Sequence, residues 1–412
     1  MSGPQSLAFG NFRLIPIPDR ISPIAIPSGS SFDGFVIYLD HNATTPILPA
    51  VREAMLPYVE SEWGNPSSTY RFGSKLKGSI EKAREQVAEL IGAKSPREII
   101  FTSGGTESNN TAIHAAITAH PGKRHIVTSQ VEHSSVLSYC RFLEAHHGYR
   151  VTYLPVDSEG RLSLSELENS LTEDTAVVSL MWANNETGVI FQVEETAQVC
   201  RNRGVLYHCD AVQCAGKFPI NVQTTPFDYL SITGHKIGAP KGIGALYIRK
   251  KAPFHPLVHG GHQERGRRGG TENVPSIMGF GVAAAHSLKK LPSYDDVVRP
   301  LRDSLEAGIL SSIPGAERNG DSALRLANTS NITFHGIESE ALLLLLDQSG
   351  ICASSGSACL ADSPDPSHVV AAMKPGPAAR QCVRLSLGMQ TSADEIRQAV
   401  LEFQRLTRTI RG

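Results

Sequence analysis

The stretch Ile99-Ile-Phe-Thr-Ser-Gly-Gly-Thr-Glu-Ser-Asn-Asn110 decides the fold class. Its first four residues are β-branched or aromatic and predict a strand, and the two glycines predict a turn that opens a helix. Similar short runs recur at 125–128, 151–154, 176–180, 205–208 and 229–232. Amphipathic runs at 134–146 and 193–203, the second closed by Gly204, predict helices between them. This alternation predicts an α/β fold with a mostly parallel sheet.

The pattern changes after Pro275, where helix is followed by a few short apolar runs. Residues 301–310 predict a helix, and the runs at 331–334 and 382–387 predict strands. These elements predict a second, smaller α+β domain. The predicted organisation is an extended N-terminal arm (1–35), a segment near the small domain (36–47), a large domain (48–288) and a small C-terminal domain that carries Cys359 (289–412).

Composition excludes several classes of protein. The 412 residues include 39 basic and 40 acidic side chains, so the chain lacks the excess positive charge that favours nucleic acid or an acidic membrane. No apolar run reaches the length of a membrane span, and the first 35 residues lack the apolar core of a secretory signal. Seven scattered cysteines argue against a disulfide framework and for a reducing compartment, so we predict a cytoplasmic protein.

Polar residues follow the predicted strands at the points where ligands gather in open α/β sheets. They include Thr106 after the glycine turn and, further along the chain, His133, Asn185, Asp210 with Gln213, and Thr233-Gly-His-Lys236. Taken singly, each has a structural explanation, such as a helix cap or a surface lysine. Together they are the parts that hold pyridoxal phosphate, with a phosphate cradle, a carboxylate and a lysine. We predict no metal site, because Cys209 and Cys214 lack a second pair.

Cys359 lies in Ala353-Ser-Ser-Gly-Ser-Ala-Cys-Leu-Ala-Asp-Ser-Pro-Asp-Pro366, a run of small residues followed by proline and aspartate. Most cysteines are buried and inert, but that interpretation requires apolar neighbours, which this run lacks. We therefore predict that the Cys359 thiol reacts rather than packs.

Several ordered blocks of sequence together resemble one known family. The blocks are Tyr38-Leu-Asp-His-Asn-Ala-Thr-Thr45, Gly64-Asn-Pro-Ser-Ser68, 101–109, Met181-Trp-Ala-Asn-Asn-Glu-Thr-Gly188, Gly234-His-Lys236, Gly260-Gly-His-Gln-Glu-Arg-Gly-Arg-Arg268, Thr271-Glu-Asn273 and Ser354-Ser-Gly-Ser-Ala-Cys359. From about residue 36 to the end, the chain is similar to the NifS-like cysteine desulfurases of the class-V aminotransferase superfamily. The blocks at 181–188 and 260–268 resemble most closely the nitrogen-fixation branch.

The resemblance implies a homodimeric pyridoxal phosphate enzyme of fold type I, the aspartate-aminotransferase-like fold, with active sites at the subunit interface. Such an enzyme converts L-cysteine to L-alanine and leaves a persulfide on Cys359, which supplies sulfur to an iron-sulfur scaffold or another acceptor protein, in this branch possibly for nitrogenase. Lys236 is then the Schiff-base lysine and proton carrier, and His133 stacks on the cofactor ring and assists proton transfer. Asp210 pairs with the ring nitrogen and Gln213 with the phenolic oxygen.

The resemblance also implies the remaining binding residues. The phosphate is held by Gly105, Thr106, Thr233 and His235, with Thr271 reaching in from the partner subunit. Asn185 and Arg384 bind the substrate carboxylate, for which a guanidinium fork is well suited. Without the resemblance, Arg384 is better explained as a member of a structural ion pair. Leu360 and His41 depart from the family pattern. In the family, a small hydroxyl residue usually follows the cysteine, where this chain has Leu360, and asparagine or tyrosine usually occupies the position of His41.

Three other functions remain open on the sequence. A selenocysteine lyase shares the same blocks and differs in its preference for the selenium analogue. A non-catalytic iron-sulfur assembly platform retains the fold without the chemistry, although intact Lys236, Asp210 and Cys359 argue against it. An aminotransferase requires a site for a second keto acid, which the sequence does not indicate. The Arg265-Gly-Arg-Arg-Gly-Gly270 stretch occurs once within folded sequence, which argues against an RNA-binding segment.

Overall fold

The computed structural model describes residues 36–356 and 366–412, so the predicted arm and Cys359 lie outside the described residues. The strands are β1 (Ile37–Tyr38), β2 (Ile99–Thr102), β3 (His125–Ser129), β4 (Arg150–Leu154), β5 (Thr175–Met181), β6 (Leu206–Asp210), β7 (Tyr229–Thr233), β8 (Gly244–Ile248), β9 (Ala316–Asn319), β10 (Thr329–Phe334), β11 (Ile351–Cys352) and β12 (Cys382–Ser386). The helices are α1 (Pro49–Glu60), α2 (Arg71–Ser74), α3 (Leu76–Leu90), α4 (Gly105–Ala119), α5 (Ser134–His147), α6 (Leu164–Ser170), α7 (Val193–Asn202), α8 (Val274–Ser312), α9 (Ser339–Gln348), α10 (His368–Met373) and α11 (Ala393–Arg411).

The central sheet has seven strands in the order β2-β8-β7-β6-β5-β3-β4. All six strands predicted from the sequence are present in it, and the pairs among β3, β4, β5, β6 and β7 are parallel. The exception is β8, which the sequence analysis missed and which runs antiparallel between β2 and β7. The fold is therefore α/β with a mostly parallel sheet, as predicted.

The sheet buries both of its faces, which explains why its strands are continuous apolar runs. Successive residues point to opposite faces, so Ile100, Ile126 and Val177 lie in one core with side chains of α4 and α5. Their neighbours Phe101, Val127 and Val178 lie in the other core, which includes side chains of α3 and the first half of α8. Helices on both faces leave the carboxyl ends of the parallel strands accessible.

A second sheet, of order β12-β10-β9 and antiparallel, lies in the C-terminal part of the chain. Its core also contains Ile37 and Leu39, and β1 pairs with β11. The helix predicted at 301–310 is the end of α8, a single helix of 39 residues that continues through Pro292 and Pro300. Because α8 crosses residue 288 and residues from Val36 onward form one compact unit, the boundaries between large and small domains stay a prediction.

Across residues 36–356 and 366–412, no helix combines the length and the apolar character that a bilayer crossing requires.

Candidate active site

A cavity of about 300 Å³ lies at the carboxyl ends of the parallel strands. Ten of the twelve site residues predicted from the sequence line it: Gly105, Thr106, His133, Asn185, Asp210, Gln213, Thr233, His235, Lys236 and Arg384. They come from five different strand ends and from β12, so the topology of the sheet is what brings them together.

The N-terminus of α4 forms one end of the cavity. The first N–H groups of a helix have no partner within the helix, and Gly104, which precedes α4, has no side chain to cap them. Gly105 is required for close packing, since a Cβ atom there would lie 2.9 Å from Cγ2 of Val212. Together with the Thr106 hydroxyl, these N–H groups form a site suited to a phosphate or another anion.

Thr233 and His235 flank this end of the cavity. Thr233 ends β7 and His235 follows it, and the Thr233 hydroxyl donates to the carbonyl oxygen of Ile243 at 3.1 Å. Burial, followed by the charges of nearby lysines, lowers the pKa of His235 to about 3. The ring is therefore neutral near pH 7 and retains one N–H donor.

Asp210 ends β6, lines the cavity and is 7% exposed. Its Oδ2 accepts a hydrogen bond of 2.6 Å from Nδ2 of Asn109, and its Oδ1 accepts one of 3.0 Å from the Val212 N–H. These two donors fix the plane of the carboxylate. An anionic group in this position can pair with a cationic ring nitrogen.

His133 also lines the cavity, and it caps α5. Its Nδ1 accepts the Ser135 N–H at 3.1 Å, so the neutral ring carries its proton on Nε2. His133 therefore has the structural role of a helix cap, and the same side chain also lines the cavity.

Lys236 follows β7 in a short 3-10 turn, and its Nζ donates to the carbonyl oxygens of Ala43, at 2.7 Å, and Asn42. Asn42 lies in the sequence block 38–45, from which no role for this residue was predicted. Asn42 is 1% exposed, and its amide donates to the Thr329 hydroxyl at 2.8 Å. It therefore links the N-terminal segment, the lysine and β10.

Arg384 and Asn185 form the side of the cavity towards the second sheet. Arg384 is 2% exposed and forms an ion pair with Asp40, in which Nη2 lies 2.7 Å from Oδ1. This is the structural role that the sequence alone favours for Arg384. Its Nε and the Asn185 Oδ1 have no hydrogen-bond partner among the described residues. Unpaired buried polar atoms in a cavity call for an explanation, and a bound carboxylate would accept a hydrogen bond from Nε.

The two remaining predicted residues are not in this cavity. Thr271 lines a separate cavity of about 220 Å³ together with Arg268 and Glu264. Cys359 lies outside the described residues, but Gly356, three positions earlier in the chain, lines the main cavity.

Glu132 precedes His133 and is fully buried. Its Oε1 accepts hydrogen bonds from the Ser129 hydroxyl at 2.6 Å and the Met181 N–H at 3.1 Å, whereas Oε2 has no partner among the described residues. Burial raises the pKa of Glu132 to about 8, and the charge of Asp210 adds to the rise. At neutral pH the folded protein therefore holds Glu132 in its protonated form.

This raised pKa makes the stability depend on pH. Between about pH 4.5, where an ordinary glutamate ionises, and about pH 8, the folded state binds one proton more than the unfolded state, so stability falls as the pH rises. We expect Glu132→Gln to remove this slope. Its free energy of unfolding relative to that of the wild type should then rise by on the order of 2 kcal/mol from about pH 5.5 to about pH 8. Urea unfolding at both pH values measures the gain, with the exposed Glu85→Gln as control. An equal difference at both pH values would contradict the assignment.

Comparison with known proteins places this geometry in a family. The sequence profile of the aminotransferase class-V family matches residues 37–399. A cysteine desulfurase from Nostoc sp. is 52% identical over 92% of this chain and 94% of its own length. The cysteine desulfurase NifS from Azotobacter vinelandii is 49% identical over 91% of this chain and 94% of its own. A solved structure described as a NifS-like protein superposes with a TM-score of 0.84 at 36% identity, covering 91% of this chain and 99% of that one. The chain therefore belongs to the class-V aminotransferase family and, within it, to the NifS-like cysteine desulfurases.

Proposed function

We propose that this protein uses pyridoxal phosphate to remove sulfur from L-cysteine, giving L-alanine and a persulfide on Cys359. The observation that supports the proposal is one cavity lined by Lys236, by the Asp210 carboxylate and by Gly105 and Thr106 at the open N-terminus of α4. The unpaired Nε of Arg384 on the same cavity supports a substrate that bears a carboxylate.

The residues that line the cavity are suited to the phosphate, the ring nitrogen and the phenolic oxygen of the cofactor. The phosphate would be held by the α4 N-terminus with Gly105 and Thr106, and by Thr233 and His235. Asp210 would hold the ring nitrogen, Gln213 the phenolic oxygen, and His133 one face of the ring. Pyridoxal phosphate would supply an electron sink for the pair released at the substrate Cα.

The protein's own side chains account for binding and proton transfer. Arg384 and Asn185 hold the substrate carboxylate and so orient the Cα–H bond. The Lys236 amine, held by two backbone carbonyl oxygens, takes the Cα proton and returns it during turnover. His133, with its proton on Nε2, assists this transfer.

Sulfur transfer requires a thiolate, because the thiol is a poor nucleophile. Of the seven cysteines, six lie in the described part of the chain, and burial raises the pKa of every one of these thiols. Cys359 is the seventh. Its thiolate forms a bond to the substrate sulfur, the substrate C–S bond breaks with its electron pair left on carbon, and that carbon takes a proton to give alanine.

The wider setting of the reaction forms part of the same proposal. The protein acts in the cytoplasm as a homodimer, in which Thr271 of each subunit completes the phosphate site of its partner. The large domain, 48–288, holds the cofactor, and the small domain, 289–412, carries Cys359. The persulfide passes its sulfur to an iron-sulfur scaffold or another acceptor protein.

The proposal is tested by Cys359→Ala. We expect the variant to keep the visible absorbance of the bound cofactor and to lose alanine production from L-cysteine, because only the sulfur acceptor is removed. In the wild type, mass measurement after incubation with cysteine should find about 32 Da, one sulfur atom, added to the peptide that contains Cys359. The partly exposed Cys352→Ala is the matched control and should behave as the wild type. Undiminished desulfuration by Cys359→Ala would overturn the proposal.

A further inference from the structure

Lys217 is a buried lysine that the proposed reaction does not use. It is 8% exposed, and its Nζ donates to Oε1 of Gln213 at 3.0 Å and to Oδ1 of Asn42 at 3.1 Å. Burying an amine is costly unless its N–H groups find acceptors. The two amide oxygens meet that need, and the lysine in turn constrains both amides.

Lys217 fixes the orientation of the Gln213 side-chain amide. A lysine side chain offers N–H donors, and its charged form has no acceptor at all, so the amide oxygen of Gln213 must face it. The amide nitrogen is thereby turned the other way, where it donates to the Asn42 carbonyl oxygen at 3.1 Å. That bond uses one of the two N–H groups of Nε2, and the second stays available on a side chain that lines the main cavity.

We propose that Lys217 is a positioning residue that makes Gln213 a hydrogen-bond donor to the phenolic oxygen of pyridoxal phosphate. The inference rests on the proposed function, because the cofactor and its orientation come from there. An ionised phenolic oxygen only accepts hydrogen bonds, so a Gln213 amide turned the other way would present an oxygen to an oxygen and weaken binding.

Lys217 is not among the residues that line the main cavity. It lines a smaller cavity of about 80 Å³, which Lys290 and Lys236 also line. Burial, followed by the charge of Lys236, lowers the pKa of Lys217 to about 7. The neutral amine keeps two N–H donors, the number that Gln213 and Asn42 require, so the orientation of the amide persists in either form.

The test compares pyridoxal phosphate with 3-deoxypyridoxal phosphate, which lacks the phenolic oxygen, in equilibrium binding to the full-length apo-protein. Lys217→Met is expected to weaken binding of pyridoxal phosphate about tenfold, the effect of one hydrogen bond to a charged group. Binding of the deoxy analogue should change less than about twofold, because it lacks the acceptor. Lys217→Gln, whose amide N–H can still donate to Gln213, should recover most of the loss.

A control variant and the outcomes that would overturn the inference complete the test. Lys290→Met removes an exposed lysine from the same small cavity and should leave both affinities unchanged. Equal losses for both compounds in Lys217→Met would indicate a general structural role and overturn the inference, as would no loss for either. A wild type that binds neither compound would instead refute the proposed function.

Discussion

Replacement of Lys236 by alanine is expected to lower alanine production from L-cysteine by about a thousandfold or more. On the proposed function, the variant loses the covalent link to the cofactor and the amine that moves the Cα proton. The fold should tolerate the change, because Lys236 lines the cavity rather than the packed core, as do Asn42 and Ala43, whose carbonyl oxygens accept hydrogen bonds from Nζ. Steady-state alanine production measures the loss.

A second measurement separates the two roles of Lys236. Borohydride reduction should fix the cofactor to the wild-type chain, whereas in Lys236→Ala the cofactor should be removed by dialysis. The matched control is Lys241→Ala, which removes an exposed lysine five residues later in the chain. If Lys236→Ala retained turnover within about tenfold of the wild type, another residue would have to move the Cα proton, and the assignment would be wrong.

The sequence predicted those parts of the site that follow directly from the order of strands along the chain. Asp210 and Lys236 each follow a predicted strand within four residues, after the runs at 205–208 and 229–232, and parallel strands place such residues at one edge of the sheet. The strand β8 was missed because no strand was predicted in the large domain after residue 232, whereas β8 returns antiparallel to β7 after a glycine-containing loop.

Side chains that act through distant partners could not be predicted in this way. Asn42 and Lys217 meet across 175 positions of sequence, and no local pattern reports that contact. The spacing of four residues between Gln213 and Lys217 is compatible with the contact between their side chains. On its own, however, this spacing is equally typical of a solvent-exposed turn. The same limit applies to Arg84 and Glu264, which lie 180 positions apart.

Arg84 and Glu264 form a buried ion pair that connects α3 to the loop before α8. Arg84 Nη1 lies 2.6 Å from Glu264 Oε2, Nη2 lies 2.9 Å from Oε1, and both side chains are 3% exposed. Burial alone would lower the pKa of Arg84, but the hydrogen bonds and charge of Glu264 outweigh it and raise the pKa. Oε2 also accepts the N–H of Phe101, at the edge of the central sheet, at 3.2 Å.

Glu264→Ala is therefore expected to reduce the free energy of unfolding by about 3 to 5 kcal/mol, because it removes the buried carboxylate that pairs with Arg84. Only the half-exposed Glu81 carboxylate, 3.0 Å from Arg84 Nε, then remains as a counter-ion. The double variant Arg84→Met with Glu264→Leu should recover most of this loss, since an apolar pair carries no desolvation penalty. Urea unfolding followed by circular dichroism measures both. The exposed pair of Glu402 and Arg405 on α11 provides the control, and Glu402→Ala should cost less than about 1 kcal/mol. A loss of similar size in Glu264→Ala and Glu402→Ala would mean that solvent reaches Arg84, in contradiction to its burial.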